Sequence, residues 1–264
     1  SDVCSSDLVR PLYRPRRSGT ALREFDCLSS PRNTHRFPRC RKDGAGTGDS
    51  EEAADNSGTL CAKRILDLTR LFPGPVATWH LASMGASVIK VEDTGAGDYA
   101  KEFFKTPEET KAGLDSSFYR AINNNKEVIY LDLKNPDDQT RFLELVKQAD
   151  LLIESFRPGV MNKLGFSYDS LKQIKPSLVY CSITGFGATG AWKHKAAHDL
   201  NSIAMTGVLH QLADANNKPI MPNLQIADLL GGAASAAMGC LAALWRAQRT
   251  GEGSFVDISM TDGT

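Results

Sequence analysis

Short apolar runs alternate with amphipathic stretches from residue 60 onward. The apolar runs predict five β-strands, at residues 64–69, 86–92, 127–133, 150–156 and 178–187. One helix is predicted over 73–85, with prolines at its start and a glycine at its end, and another begins where Asn135 can cap it ahead of Pro136. Strands alternating with helices form parallel sheets. We therefore expect an α/β fold, a Rossmann-like open parallel sheet with helices on both faces and ligands at the carboxyl ends of its strands.

The first sixty residues follow neither a strand nor a helix pattern. Residues 1–42 hold ten basic against four acidic side chains, and residues 43–58 are small, polar and acidic, which is typical of a linker. We predict that residues 1–60 are a disordered or non-native leader and linker, and that residues 61–264 form the folded domain.

Composition excludes several classes of function. The 31 basic and 31 acidic side chains balance, whereas a dedicated nucleic-acid binder needs a surplus of cations. None of the six cysteines forms a CxxC pair, so we expect no metal site. Cys181 and Cys240 lie in apolar runs, as small buried residues of a reducing compartment do, and there is no apolar signal segment, so we expect a cytoplasmic location, with a peroxisome or mitochondrion as alternatives.

One uncharged run is almost long enough to cross a membrane. Residues 229–245 read LLGGAASAAMGCLAALW, near the lower length limit for a span. Alanine and glycine dominate this run, and small residues allow close helix packing. We expect a buried helix and no membrane span.

Two ionisable groups stand where an apolar pattern would not place them. His198 and Asp199 precede an apolar helical run, and Asp228 begins the long apolar helix. Taken alone, Asp228 fits a helix N-cap and His198 a core or capping histidine. Taken together, an imidazole and a carboxylate, each near an apolar wall, fit a pair of general bases.

The chain from residue 63 resembles the family III CoA-transferases, the CaiB/BaiF group, over about three quarters of its length. The resemblance rests on motifs in family order, which read RILDLTRLFPGPVATWHLASMGASVIKVE, NNNKEVIYLDLK, ESFRPGVMNKLGF, YCSITGFGATG, AAHDLNSIAMTGVLH, NLQIADLLGG and RTGEGSFVDISMTDGT. It implies that residues 61–264 are the N-terminal part of the family's large domain, which is incomplete here.

The resemblance also implies a reaction on an acyl-CoA thioester, without a metal or organic cofactor. In the family's transferases, the position of Asp228 is a nucleophile that forms a mixed anhydride with the acyl group. In its α-methylacyl-CoA racemases, the same position is an acid/base on one face of the α-carbon. The racemases carry a His-Asp pair followed by an asparagine, and this chain reads His198-Asp199-Leu200-Asn201.

We therefore expect epimerisation of 2-methylacyl-CoA thioesters, with His198 and Asp228 exchanging the α-proton from opposite faces. Asp199 belongs to the same site. Backbone N–H groups at the start of the Asp228 helix are expected to stabilise the enolate oxygen. The alternatives are a CoA-transferase that forms an acyl-enzyme at Asp228, and an inactive fragment that at most binds CoA.

The resemblance places CoA contacts on four basic residues, Lys90, Lys126, Arg157 and Lys163. Each of these residues also fits a solvated surface charge. Asp93 follows the second strand where relatives commonly carry an arginine, which puts one cation of that site in doubt.

Family members continue beyond the position of Thr264 with a second domain and a glutamate that pairs with the histidine. They form interlocked homodimers, so a homodimer is expected of the intact protein. We expect little activity from a chain that ends at Thr264. The sequence does not identify the acyl group.

Overall fold

The computed structural model describes residues 59–264, in which six parallel strands form one open sheet. The strand order is β3-β2-β1-β4-β5-β6, the order of a Rossmann sheet built from two halves. The strands are β1 (Arg64–Leu68), β2 (Ser87–Glu92), β3 (Lys126–Tyr130), β4 (Leu151–Glu154), β5 (Val179–Thr184) and β6 (Phe255–Ser259). The α/β fold with an open parallel sheet is thereby confirmed. The leader predicted for residues 1–60 lies outside the described residues, except for its last two positions.

The five predicted strands coincide with β1 to β5, while β6 was not predicted. Strands β1, β2, β4 and β5 are buried almost throughout because helices cover both faces of the sheet, whereas β3 lies at one edge and is only partly buried. Strand β6 reads FVDIS and lies at the edge, paired only with β5. Its alternating exposure replaces the continuous apolar run on which the other predictions depended.

Helices connect the strands and cover both faces of the sheet. Asn135 caps α4 as expected, because its side chain accepts the N–H groups of Asp137 and Asp138. The α-helices are α1 (Pro73–Ser83), α2 (Pro107–Lys111), α3 (Ser117–Ile122), α4 (Pro136–Gln148), α5 (Val160–Lys163), α6 (Tyr168–Ile174), α7 (Asp199–Met205), α8 (Val208–Gln211) and α9 (Ser235–Thr250).

Two apolar cores lie on opposite faces of the sheet. Successive strand residues point to opposite faces, so Ile65 joins one core and Leu66 the other. The first core contains side chains of α1 and α9, and the second contains side chains of α4 and α6. Because both faces of the sheet are buried, polar functional side chains can be placed at the ends of the strands.

The long apolar helix begins as a π-helix, Ala227–Ala234, and continues as α9. The helix packs closely against the backbone of Met260 at Gly231, where an added Cβ would lie 2.1 Å from the carbonyl oxygen of Met260. By length and composition, Ala227–Thr250 passes for a membrane span, but half of its apolar window is buried. Its inner face contributes Ala236 and Cys240 to the first core, but Leu230, Met238 and Trp245 are more than half exposed, so the expected buried helix is buried on one face only.

Candidate active site

A cavity of about 780 Å³ opens at the carboxyl ends of β1, β4 and β5. The strand order reverses between β1 and β4, and ligands of open α/β sheets bind at such a switch point. The cavity is lined by the loops that follow these strands and by the start of the π-helix. Its lining includes Arg70, Phe72, Tyr99, Phe103, Phe104, Phe118, Ser155, Arg157, Thr184, Lys193, Lys195, His198, Asp199, Gln225 and Asp228.

Asp228 is the second residue of the π-helix, so it lies in the first turn and is not the N-cap. Its side chain is half-buried, and burial raises the pKa of its carboxyl group to about 6. The negative charge of Asp199 raises this pKa further, while His198 lowers it. A π-helical turn is rare and is frequently found at functional sites. With this pKa the carboxyl group is mostly ionised at neutral pH but more basic than an ordinary aspartate, which suits both proton transfer and nucleophilic attack.

His198 and Asp199 lie at the N-terminus of α7 and line the same cavity as Asp228. The backbone N–H of His198 donates to Oδ1 of Asn201 at 3.1 Å, which fixes the backbone of the histidine. The backbone N–H of Asp228 donates to Oδ1 of Asp199 at 3.0 Å. In the His-Asp-x-Asn motif, His198 is therefore one of the two candidate acid/base groups, and Asn201 fixes its backbone. Asp199 positions the other candidate group, Asp228.

We expected backbone N–H groups at the start of the Asp228 helix to bind the enolate oxygen. For two of these groups the expectation is wrong. The N–H of Asp228 donates to Asp199, and the N–H of Leu229 donates to the carbonyl oxygen of Gln225 at 3.1 Å. Both donors are therefore already bound within the protein.

Lys90 and Lys126 are fully buried beneath the cavity and do not line it. Nζ of Lys90 forms an ion pair with Asp98 at 3.0 Å, and Nζ of Lys126 forms one with Asp67 at 3.1 Å. Burial lowers the pKa of Lys126 to about 8, although Asp67 favours its charged form. The alternative of a solvated surface charge is therefore wrong for both residues. Their ammonium groups are bound by carboxylates, so any effect on a ligand passes through other groups.

Arg157 and Lys163 are exposed, but only Arg157 lines the cavity. Lys163 is at the end of α5. Two further lysines on the cavity wall, Lys193 and Lys195, were not predicted from the sequence. These cations, carried by the loops after β4 and β5, give that side of the cavity the positive charge that phosphate groups require.

Arg70 is another cavity residue that the sequence analysis missed, and it is paired with Asp93. Asp93 also accepts the N–H of Gly95 at 2.9 Å. Asp93 therefore neutralises a neighbouring arginine and orders the loop after β2. The only sequence signal for this pair was the departure at Asp93.

Five aromatic rings form one wall of the cavity, here called the aromatic wall: Phe72, Phe118, Phe104, Phe103 and Tyr99. Consecutive rings have their centroids 5.6, 5.5, 6.2 and 5.6 Å apart in that order. Phe104 is 75% exposed and has a φ of +57°, a strained value for a bulky residue. The wall offers apolar area to the apolar part of a ligand.

The buried Lys90–Asp98 pair holds two loops of the cavity together. Oδ1 of Asp98 accepts the N–H of Leu71 at 3.1 Å and that of Ala100 at 3.0 Å. Nζ of Lys90 donates to the carbonyl oxygen of Thr69 at 2.7 Å. Leu71 has a φ of +64°, so its unusual backbone is fixed by this pair. Arg70 and Phe72 flank it and both line the cavity.

No group of His, Cys, Asp and Glu side chains suited to a metal ion occurs among residues 59–264. The side chains that line the cavity include a carboxylate, an imidazole, hydroxyl groups and cations. These groups suit acyl transfer or proton transfer next to a carbonyl group.

A family model, CoA-transferase family III, matches residues 60–264, which is nearly the whole described part of the chain. The chain belongs to CoA-transferase family III. This confirms the resemblance expected from the sequence motifs.

Relatives of this family include both transferases and a racemase. The chain is 39% identical to the acetyl-CoA:oxalate CoA-transferase of Acetobacter aceti, over 76% of this chain and 50% of that protein. It is 33% identical to the human alpha-methylacyl-CoA racemase, over 76% of this chain and 47% of that protein. The chain thus spans about half the length of these curated relatives.

A solved structure shares the fold. The crystal structure of a CAIB/BAIF family protein from Brucella suis superposes with a TM-score of 0.72 at 30% identity. The match covers 78% of this chain and 54% of that one. The described domain therefore has the fold of this family.

Proposed function

We propose that the protein is a CoA-transferase that moves CoA between carboxylic acids through an acyl-enzyme at Asp228. The observation that carries the proposal is the half-buried carboxylate of Asp228 on the cavity wall at the strand ends. The higher identity to a transferase than to a racemase supports it over the epimerase expected from the sequence motif.

The transfer balances without a cofactor. The carboxylate of Asp228 attacks the thioester carbon, which forms a mixed anhydride and releases CoA as a thiolate. The thiolate then attacks the carbonyl carbon of Asp228, which gives an aspartyl-CoA thioester and frees the first carboxylic acid. The acceptor carboxylate reverses these two steps and leaves as its own CoA thioester. With a pKa of about 6, Asp228 is mostly ionised at pH 7 and more basic than an ordinary aspartate.

A second candidate, epimerisation of a 2-methylacyl-CoA, is favoured by one observation. His198 lines the same cavity as Asp228, and its backbone is fixed by Asn201. An imidazole and a carboxylate in one cavity suit removal of an α-proton on one face and its return on the other.

The aromatic wall and the cations suggest how an acyl-CoA lies in the cavity. Phosphate groups of CoA fit the side that carries Arg157, Lys193 and Lys195, and an apolar acyl group fits the aromatic wall. The homodimer and the cytoplasmic location remain predictions.

Trapping the acyl-enzyme tests the proposal. The intact protein is incubated with acetyl-CoA, treated with hydroxylamine and digested, and the peptide that carries Asp228 is examined by mass spectrometry. A transferase gives a hydroxamate at Asp228, absent from Asp228→Asn and retained in Asp169→Asn, an exposed control on α6. Absence of the hydroxamate together with the absence of CoA transfer to oxalate would contradict the proposal.

Deuterium exchange separates the second candidate from the first. The protein is incubated with (R)- or (S)-2-methylacyl-CoA in deuterated water with no acceptor acid present. An epimerase incorporates deuterium at the α-carbon with loss of stereochemical purity, and His198→Ala abolishes this exchange. A transferase that lacks epimerase activity shows no exchange.

A further inference from the structure

Thr184 carries a buried hydroxyl group that no described residue satisfies. The residue ends β5 and is 8% exposed, and its Oγ1 has no hydrogen-bond partner within residues 59–264. Thr184 nevertheless lines the cavity that contains His198 and Asp228. Buried polar groups in native proteins are almost always paired, so a partner from a bound ligand is the simplest account.

The end of β5 lies between the two candidate catalytic groups. On one side, Gly185 abuts the residue before His198, because an added Cβ would lie 2.6 Å from Cβ of Ala197. On the other side, the carbonyl oxygen of Thr184 accepts the N–H of Met260 at 2.9 Å.

Met260 in turn contacts the helix that carries Asp228. Its carbonyl oxygen abuts Gly231, three residues beyond Asp228 and so one turn along the helix. Thr184 is therefore packed between the segment of His198 and the helix of Asp228. Thr184 lines the same cavity as both groups, so its side chain borders the space that their shared substrate would occupy.

We propose that the hydroxyl of Thr184 donates a hydrogen bond to the carbonyl oxygen of the bound thioester. This inference rests on the proposed function, and it holds for either reaction. Attack on the thioester gives a tetrahedral oxyanion, and removal of the α-proton gives an enolate, so negative charge develops on the same oxygen. The threonine keeps its proton and donates a hydrogen bond. Rotation about χ1 exchanges the places of its hydroxyl and methyl groups, so the hydroxyl can turn towards the cavity.

Two substitutions test this role. Thr184→Val keeps the shape and removes the hydroxyl, and Thr184→Ser keeps the hydroxyl. We expect Thr184→Val to lower kcat about 10²-fold, the usual effect of losing one oxyanion donor, and Thr184→Ser to remain within a few-fold of the wild type. Because the hydroxyl has no partner in the free protein, Thr184→Val should keep or raise the melting temperature. An unchanged kcat in Thr184→Val would overturn the proposal, as would a lowered melting temperature with proportionate loss of activity.

A binding measurement keeps the test independent of turnover. Calorimetry is done with Asp228→Asn added to both the wild-type and the Thr184→Val background, so that no acyl-enzyme forms, and compares 2-methylpropanoyl-CoA with S-(2-methylpropyl)-CoA, a thioether that lacks the carbonyl oxygen. The wild type should bind the thioester several-fold more tightly, and Thr184→Val should lose that preference without weaker binding of the thioether. Thr206→Val is the matched control, since its hydroxyl bonds to Ser202 at 3.0 Å and it does not line the cavity.

The two readouts separate the possible failures. A wild type that shows neither CoA transfer nor α-proton exchange, yet keeps a thioester preference that depends on Thr184, contradicts the proposed function alone. Equal preference for the thioester in the wild type and in Thr184→Val overturns the role of Thr184.

Discussion

The carboxylate of Asp199 accepts the backbone N–H of Asp228 across 29 residues of sequence, at 3.0 Å. One acidic side chain thereby caps the helix that carries the other and places a second negative charge beside it. The hydrogen bond fixes the position of Asp228, and the charge raises its pKa. Asp199 therefore both positions the candidate catalytic carboxylate and raises its pKa.

The acidic limb of the pH profile should reveal this coupling. Whether Asp228 is a nucleophile or a base, it must be ionised, so kcat/KM should rise with pH through about 6. Asp199→Asn keeps an oxygen that accepts the N–H of Asp228 but removes the charge, so the pKa of Asp228 falls and the limb should move to lower pH. The measurement is kcat/KM between pH 4.5 and 8.

Asp169→Asn serves as the control, because Asp169 is exposed on α6 and does not line the cavity. The acidic limb of the pH profile of Asp169→Asn should lie at the same pH as that of the wild type. A limb that does not move in Asp199→Asn would show that the charge of Asp199 does not act on the ionisation that limits the rate.

The buried Lys90–Asp98 pair should respond unequally to single and double substitutions. Lys90→Met leaves the carboxylate of Asp98 buried without a cation, which typically costs about 3–5 kcal/mol of unfolding free energy. Adding Asp98→Asn removes that charge while keeping an acceptor for the N–H groups of Leu71 and Ala100, so the double variant should regain much of the loss. Urea unfolding of the four proteins measures the coupling. Additive losses in the double variant would contradict a buried pair.

Glu154 should make the stability depend on pH in an unusual direction. Burial raises the pKa of its carboxyl group to about 7 from an ordinary value near 4.5. The folded state then holds this proton more tightly than the unfolded state, so its contribution to stability is lost as pH rises from 4.5 to 7. Glu154→Gln removes this loss. The difference in unfolding free energy between Glu154→Gln and the wild type should therefore shift in favour of the variant by on the order of 3 kcal/mol between pH 4 and pH 8. A difference that is the same at both pH values would contradict the raised pKa.

Gly231 should tolerate no side chain at all. An added Cβ would lie 2.1 Å from the backbone oxygen of Met260, so Gly231→Ala has to displace either β6 or the π-helix. We expect a loss of about 2 kcal/mol or more in unfolding free energy, together with a fall in kcat. At Gly239 the nearest atom is a side-chain methyl of Val256, at 3.0 Å. Gly239→Ala should therefore change stability by less than about 1 kcal/mol.

Much of the fold could be predicted from the sequence because its sheet is covered on both faces. Strands β1, β4 and β5 are buried almost throughout and were found as apolar runs, and the Asn135-Pro136 start of α4 is a local signal that the structure repeats. Strand β6 escaped because none of its residues is buried, whereas β3, at the other edge, runs on into the apolar residues of EVIYLDL. The π-helix escaped because the apolar pattern of residues 227–234 does not distinguish it from an α-helix, and the close approach of Gly231 to Met260 is a tertiary contact.

The site was predictable only in part, and the lysines show why. A lysine within VIKVE looks like a surface charge, and the carboxylate that allows Lys90 to be buried lies on a separate loop at Asp98. For Lys126, the partner Asp67 is 59 residues away in sequence. No local pattern reports such distant pairing. His198 and Asp228, in contrast, lie in recognisable motifs and were found together on the cavity wall.

The strand order β3-β2-β1-β4-β5-β6 also has a consequence for synthesis on the ribosome. After β1 and β2, each new strand pairs with an edge of the sheet that already exists. Strand β3 pairs with β2 on one side, and β4, β5 and β6 then add in turn on the other side of β1. The sheet can therefore grow outward from β1 without any strand being inserted between two others, so each pairing step awaits only residues already made. The chain reaches Asp228 after β1 to β5 have been made, and the helix that carries Asp228 then docks on strands that can already be paired.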